Sequence, residues 1–275
     1  MPQSTADLHV FAAFEKAGWE RAAEPYHRHW GGLSQQSAEA LLDAAAVTAG
    51  TRVLDVATGA GYVAGAAKRR DADVVGVDFS EAQVKLARTT YPEVQFRRGD
   101  AQDLPFESEI FDAVVIGFGL NHLPQPEQAF QEAFRVLRSG GRLAFTVWAT
   151  PRPGEAFGIV LGAIQQHGVP NVSLPPAPPY FRFADPAEVG RVFEDTGFVA
   201  PSTRVVEQFW RHKTPDHVFD AFNEGAVRAT AMLRAQPAEA REKIRMAVKA
   251  EVEQLQSNSE FIVPVPAALS SGRKP

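Results

Sequence analysis

The chain has 275 residues, 45% hydrophobic and 22% charged, the balance of a globular protein with ample apolar material for a core. Its 28 basic and 33 acidic side chains leave a net charge of −5, which argues against a protein held to nucleic-acid phosphates. With no cysteine it can form no disulfide, thiolate metal site or cysteine nucleophile.

The first 15 residues carry no Lys or Arg, so they lack the basic start of a secretory signal. The most apolar run, Ala113–Leu120, is far below the roughly 18–20 residues that cross a bilayer. These features lead us to expect a soluble, cytoplasmic protein.

Residues 1–33 show weak periodicity around Trp19, Tyr26, His27, His29 and Trp30. Ala38, Leu41, Leu42 and Ala45 then repeat at helical spacing, with Ser34 placed to cap the start and Gly50 the end. Val53–Ala57 is a short apolar run that stops at Gly59-Ala60-Gly61, which predicts strand, glycine turn and helix. Val74–Asp78 predicts a second strand, and Ser80 with Gln83 a capping box opening the next helix. Strands are expected at Val94–Arg97, Phe111–Phe118 and Arg142–Trp148, with a helix from Pro126 closed by Gly140 between the last two. This alternation predicts a parallel sheet with helices on both faces, an α/β fold.

After Trp148 the rhythm breaks. A proline-rich stretch over 151–181 surrounds a helix near Phe157–His167, and the run Pro175–Pro179 reads as an extended connector. Pro186–Asp195 predicts a helix, Ser202–Trp210 a strand, and Pro215–Arg234 and Ala238–Leu255 two helical stretches. Phe261–Val263 offers one last strand.

The chemistry concentrates in Leu54–Gly61. A glycine turn between strand and helix lets a ligand approach the backbone, and the helix N-terminus favours an anion. Gly59-x-Gly61-x-x-Ala64 with Asp78 nineteen residues past Gly59 also fits a dinucleotide fingerprint. Asp55 separates the readings. A carboxylate about 4 Å from a pyrophosphate charge costs roughly 4 kcal/mol at an effective dielectric of 20. An amino-acid zwitterion instead wants an acid for its ammonium and backbone N–H groups for its carboxylate. Asp78, ending the next strand, suits a ribose diol. Adenosine bearing an amino acid meets both needs.

Five segments carry a wider likeness: Val53–Gly61, Val75–Ser80, Gly99–Phe106, Phe111–Val115 and Arg135–Arg142. In this order and spacing the chain resembles a class I S-adenosylmethionine-dependent methyltransferase of the ubiquinone and menaquinone biosynthesis branch, over about residues 34–150. The resemblance implies a three-layer, Rossmann-like sheet of seven strands in order 3-2-1-4-5-7-6, the last antiparallel. It divides the chain into an N-terminal lid (1–33), a cofactor-binding core (34–150) and a segment (151–275) that completes the sheet and adds a helical cap or dimer surface.

Carried over motif by motif, Asp55 and the Gly59–Gly61 turn would hold the methionine end of S-adenosyl-L-methionine, with Thr58 in the same loop. Asp78 would bind the ribose and Phe79 flank the adenine. Asp100 and Ala101, followed by Gln102, would meet the adenine amino edge, and Gly117 and Phe118 would line the sulfonium. Ala57 stands where the family commonly has Gly, so its methyl is expected to tighten the turn. Tyr26 and Trp30 are assigned to a lid over the cofactor.

His122, just past the fourth strand, is the candidate base, since imidazole titrates in the useful range; shaping its loop or contacting the cofactor is the competing role. His27 and His29 could form a metal pair, but no acidic partner is evident nearby, and a solvated or lid role is assigned to them. His167, His212 and His217 read as surface residues. The absence of cysteine removes cytosine C5 and arsenite methylation. No Asn/Asp-Pro-Pro-aromatic motif follows the fourth strand, which speaks against adenine N6 chemistry, and Pro178-Pro179-Tyr180 reads as a chance echo far from that place. A small-molecule acceptor with an apolar or aromatic body remains, its O, N or C nucleophile open. No nucleic-acid or membrane-spanning partner is expected, and a homodimer is the other use for the segments after Trp148. The alternatives are an NAD-dependent oxidoreductase and a non-catalytic, cofactor-binding regulatory protein.

Overall fold

The computed structural model describes residues 4–169 and 172–275. It opens with one 30-residue helix, α1 (Thr5–Ser34), started by a capping box in which Ser4 and Asp7 bond each other's backbone N–H. Its buried face mixes Phe11, Trp19, Ala22, Ala23 and Trp30 with Glu15 and Gly18, and Pro25 lies inside it. That mixture hides the helix from an apolar periodicity. Ser34 therefore ends this helix and does not cap the next one. A single 3₁₀ turn joins it to α2 (Ala38–Ala44).

The expected alternation follows: β1 (Arg52–Val56), α3 (Tyr62–Arg69), β2 (Asp73–Asp78), α4 (Glu81–Thr90), β3 (Gln95–Arg98), β4 (Phe111–Gly117), α5 (Pro126–Val136) and β5 (Leu137–Trp148). The capping box expected at α4 forms only by half. Ser80 Oγ accepts from Gln83 N, while the Gln83 side chain is turned elsewhere. Helix α5 ends at Val136, earlier than Gly140, because β5 begins at once and Gly140 takes φ +82° within it.

The remainder comprises α6 (Ala156–His167), α7 (Pro186–Thr196), β6 (Val199–Val206), β7 (Phe209–His212), α8 (His217–Glu224), α9 (Val227–Arg234), α10 (Ala238–Glu253), β8 (Gln256–Ser257), β9 (Glu260–Pro264) and β10 (Ala267–Arg273). Two sequence expectations change here. The single strand over Ser202–Trp210 is two, β6 and β7, in different sheets, and the helical stretch from Pro215 is broken at Gly225-Ala226 into α8 and α9. Phe261–Val263 is strand, but in a small sheet ordered β7-β9-β8, and β10 is the seventh strand of the main sheet.

The main sheet runs β3-β2-β1-β4-β5-β10-β6, with β10 antiparallel to both neighbours, the expected three-layer α/β order. Alternate residues of β1 and β4 face opposite layers. Val53, Ala113 and Val115 pack under α2, α3 and α4, while Leu54, Val56, Val114 and Ile116 pack against α5 and α7 through Phe130, Val189 and Phe193. Both faces being covered explains why these strands read as continuous apolar runs. Strand order reverses between β1 and β4, so the crevice at their carboxyl ends is where such sheets take ligands. A third cluster, centred on Trp30, Trp148, Phe157, Trp210 and Phe222, joins α1 to α6, α8, α10 and the small sheet above that edge.

Candidate active site

At the carboxyl ends of β1, β2 and β4 lies a cavity of about 740 Å³ whose lining includes Tyr26, Asp55, Ala57, Thr58, Gly59, Asp78, Phe79, Gly117, Phe118 and His122. Asp55 is 1% exposed. Its Oδ2 accepts from Thr58 Oγ1 at 2.6 Å and Ala64 N at 3.0 Å, while Oδ1 is buried with no partner. Burial pushes this carboxyl up from 3.8 to about 7, against the two hydrogen bonds and helped by the charge of Asp78. Asp78 accepts from Gly59 N and Ser80 N, each at 2.9 Å, and burial raises it to about 6. Two desolvated acids and an orphan oxygen on one cavity wall suit a cation and hydroxyl donors.

The glycine loop has a left-handed backbone at Ala57 (φ +54°), Gly59 (φ +54°) and Gly61 (φ +84°). At Gly61 a Cβ would come within 2.7 Å of the Phe96 ring, so glycine is required by both dihedral and space. Gly61 caps α3 from just outside the cavity lining. The methyl of Ala57, expected to crowd the turn, is accommodated by Gly119 across the cleft, where a Cβ would lie 2.5 Å from it. The departure from glycine thus has a compensating partner on the β4 loop.

Gln83 also lines this cavity, and its Oε1 is buried without a partner, which is where the unused half of the capping box has gone. Beyond Phe79, a neighbouring recess is bordered by Arg98, Gly99, Asp100, Gln102 and His122. Asp100 Oδ1 accepts from Gln102 N at 2.9 Å and so also caps that turn, while Ala101 is buried among apolar core residues.

A second cavity of about 910 Å³ adjoins the first, sharing Trp19, Tyr26, Phe118 and His122. Its remaining walls are aromatic and aliphatic, among them Trp30, Trp148, Phe157, Tyr180, Phe222 and Met232, with Arg228 the one permanently charged side chain among the described residues that line it. Phe118 takes φ +59°, an unusual backbone for an aromatic residue, and stacks on Trp148 with ring centroids 4.0 Å apart. The segments after Trp148 and around Phe209–Arg234 thus contribute residues to this roof.

Helix α1 closes both cavities. Glu20 accepts from Glu81 N at 2.8 Å and Ala82 N at 3.1 Å, docking α1 on the N-terminus of α4 where a carboxylate is favourable. Tyr26 hydrogen-bonds Ser34 Oγ at 2.8 Å, and burial pushes its hydroxyl up to about 12. Trp30, assigned above to a lid over the cofactor, is instead 1% exposed, bonded to Ala221 O and part of the second cavity. Trp19 is the residue that joins Tyr26 at the first.

His122 borders both cavities and the recess. Its Nδ1 lies 2.9 Å from Oε2 of Glu15, which is 1% exposed, and its ring meets Trp19 edge-on at 4.9 Å. Tyr180, the supposed chance echo, is brought within 6.0 Å of the His122 ring by the fold. Glu15 lies 107 residues from His122 in an unreadable stretch, so no sequence signal pairs them.

The other histidines differ from expectation too. His27 bonds Tyr62 at 2.6 Å and His29 bonds Glu224 at 3.1 Å, an acid distant in sequence. His212 and His217 are not scattered surface residues. Their rings stack at 3.2 Å, with His29 at 5.3 Å from His217, and burial with its two imidazole neighbours pushes His217 down to about 3. Among the described residues no group of three or more His, Cys, Asp or Glu could hold a metal ion, and no helix is long and apolar enough to cross a membrane.

A family profile described as a methyltransferase domain matches residues 54–145. The demethylmenaquinone methyltransferase of Clavibacter sepedonicus is 40% identical over 111 residues, 39% of this chain and 45% of that protein. Its counterpart from Deinococcus radiodurans is 32% identical over 199 residues, 66% of this chain and 74% of the relative. The chain spans about half the length of the first curated relatives it matches. A candidate methyltransferase structure from Bacillus halodurans shares the fold, with a TM-score of 0.56 at 23% identity over 86% of this chain and 98% of that one.

Proposed function

The chain belongs to the class I S-adenosylmethionine-dependent methyltransferases, and from that premise we propose that it transfers a methyl group to a small molecule with a flat, apolar body. The observation that carries this reading is the pair of joined cavities, one walled by Asp55, Asp78 and the glycine loop, the other by aromatic side chains. Bound S-adenosylmethionine supplies a sulfonium methyl, a carbon already activated for in-line displacement.

The protein's part is to bind, orient and exclude water. Asp55 offers its orphan Oδ1 to the ammonium, and the N–H groups around Gly59–Gly61 suit the carboxylate. Asp78 would take the ribose hydroxyls and Phe79 flank the adenine, with the Asp100–Gln102 turn at its amino edge. Phe118 lines both cavities and Gly117 the first, and the pair would flank the methyl. The aromatic roof holds the acceptor and keeps water out, and such positioning supplies about 7–11 kcal/mol. The names of the relatives favour a quinone-like ring as acceptor, in keeping with the aromatic second cavity.

Calorimetry against S-adenosylmethionine and NAD tests the cofactor, and cofactor consumption with a panel of hydroxylated aromatic compounds tests turnover. Binding of NAD without S-adenosylmethionine would sink the reading, because it would show that the two buried acids do not exclude a pyrophosphate.

A further inference from the structure

We propose that Glu15 and His122 form a proton-accepting pair, in which Glu15 is the positioning residue and His122 the base, and that the acceptor is therefore a hydroxylated ring methylated through an ionised oxygen or its conjugated carbon. The inference rests on the methyl-transfer reading and deepens it.

Glu15 is a carboxyl on the buried face of α1, where nothing in helix formation asks for an acid. One oxygen meets His122 Nδ1 at 2.9 Å, and the other is buried without a partner. A carboxylate on Nδ1 fixes that nitrogen as the N–H, so Nε2 carries the bare lone pair. The ring that presents it borders both cavities, with Trp19 and Tyr180 holding it edge-on from two sides. This arrangement serves an acceptor that must lose a proton before it is a competent nucleophile. It suits a hydroxyl, whose O–H bond breaks with the proton passing to Nε2 and the electron pair remaining on oxygen. The resulting imidazolium is held by Glu15.

The charged neighbours are compatible with that transfer. Asp78, on β2, lines the first cavity together with His122; Lys16 of α1 borders the recess with His122; and Arg228 of α9 lines the acceptor cavity where an oxyanion would form.

The probe is 4-nitrophenol, a ring of the right class whose ionisation is visible as a separate absorption band. The protein is saturated with S-adenosylhomocysteine and titrated at a pH where the free phenol is neutral. The expected result is an ionised bound phenol in the unaltered protein and none in His122→Asn. The ionised fraction should fall about tenfold or more in Glu15→Gln, the scale of a charge-assisted hydrogen bond, and recover in Glu15→Asp. Nitrogen-15 spectra should show His122 as the Nδ1–H tautomer in the unaltered protein, a readout independent of any variant's folding. A bound phenol that stays neutral, an equal band in Glu15→Gln, or an Nε2–H tautomer overturns the proposal. Failure to bind the phenol while S-adenosylhomocysteine binds overturns it too, yet leaves methyl transfer standing. Failure to bind S-adenosylhomocysteine instead refutes the function itself.

Discussion

Replacing Asp55 by Asn should move stability and cofactor affinity in opposite directions. In the folded, ligand-free protein burial raises this carboxyl from 3.8 to about 7. At about 1.4 kcal/mol per tenfold in proton affinity, holding it ionised costs the fold about 4 kcal/mol. Asn keeps an acceptor for Thr58 Oγ1 and Ala64 N, the two donors that bond Oδ2, and carries no charge to desolvate. Below the unfolded value of 3.8 both proteins are neutral at this position and equally stable. As pH rises from there toward 7, the unaltered protein loses stability, because its folded form holds the proton more tightly than its unfolded form. Above 7 the full difference applies. Asp55→Asn should therefore melt ~5–10 °C higher at alkaline pH and at the same temperature in acid. Its affinity for S-adenosylmethionine should fall by about 1.5–3 kcal/mol, the range for a hydrogen bond to a charged group. Thermal melts across pH and calorimetry read both quantities. A variant no more stable than the parent at alkaline pH would show that Asp55 is solvated or paired in the free protein, and the cofactor argument built on its orphan oxygen would fall.

The same two acids set a pH dependence for binding. Cofactor affinity should weaken as pH falls through about 7 and about 6, where Asp55 and Asp78 successively take up protons; calorimetry in a buffer series checks the window. Gly119→Ala should destabilise by about 1–3 kcal/mol through its clash with the Ala57 methyl, while Ala57→Gly should gain about 1 kcal/mol by removing a left-handed side chain. The double variant should recover most of the Gly119→Ala loss, and additive denaturation midpoints would refute the pairing. Tyr26→Phe should cost about 1 kcal/mol through the lost Ser34 bond, against about 3–5 kcal/mol for Trp30→Ala in the core, as measured by urea unfolding.

What could be read in advance follows from where each signal is stored. Asp55, Gly59, Gly61 and Asp78 lie within one strand–turn–helix unit and the strand beside it, so local chain rules expose them, and fully covered strands announce themselves as apolar runs. Glu15 and His122 meet only because α1 crosses the carboxyl edge of the sheet, and an acid in a weakly periodic helix looks like any surface residue. Tyr180 and Trp30 were legible as aromatic but not as neighbours of the site, because their positions depend on how α6, α8 and α9 pack. The imidazole stack of His212 and His217 likewise arises from a turn between β7 and α8 that no periodicity marks. The seventh strand is hidden in the sequence for a related reason. Phe261–Val263 has the stronger apolar signal, whereas Ala267–Arg273 ends in Ser270, Ser271, Gly272 and Arg273, and is nonetheless the segment buried between two strands.

That insertion has a consequence for synthesis. Strand β6 bonds to the main sheet solely through β10, which enters between it and β5. On the ribosome Val199–Val206 emerges long before Ala267–Arg273, and in that interval β5 and β6 both present open edges with no partner to occupy the gap. Helices α8 and α9, the 16-residue α10 and the strands β7, β8 and β9 are made during this wait. The nascent chain thus carries two unpaired β-edges at once, the condition in which intermolecular strand pairing competes with folding. Fast translation of the α8–β9 segment, or a chaperone that shields β6, would shorten the exposure. The segment that supplies Phe222, Arg228 and Met232 to the second cavity thereby also sets, by its length, how long the nascent chain remains prone to aggregate.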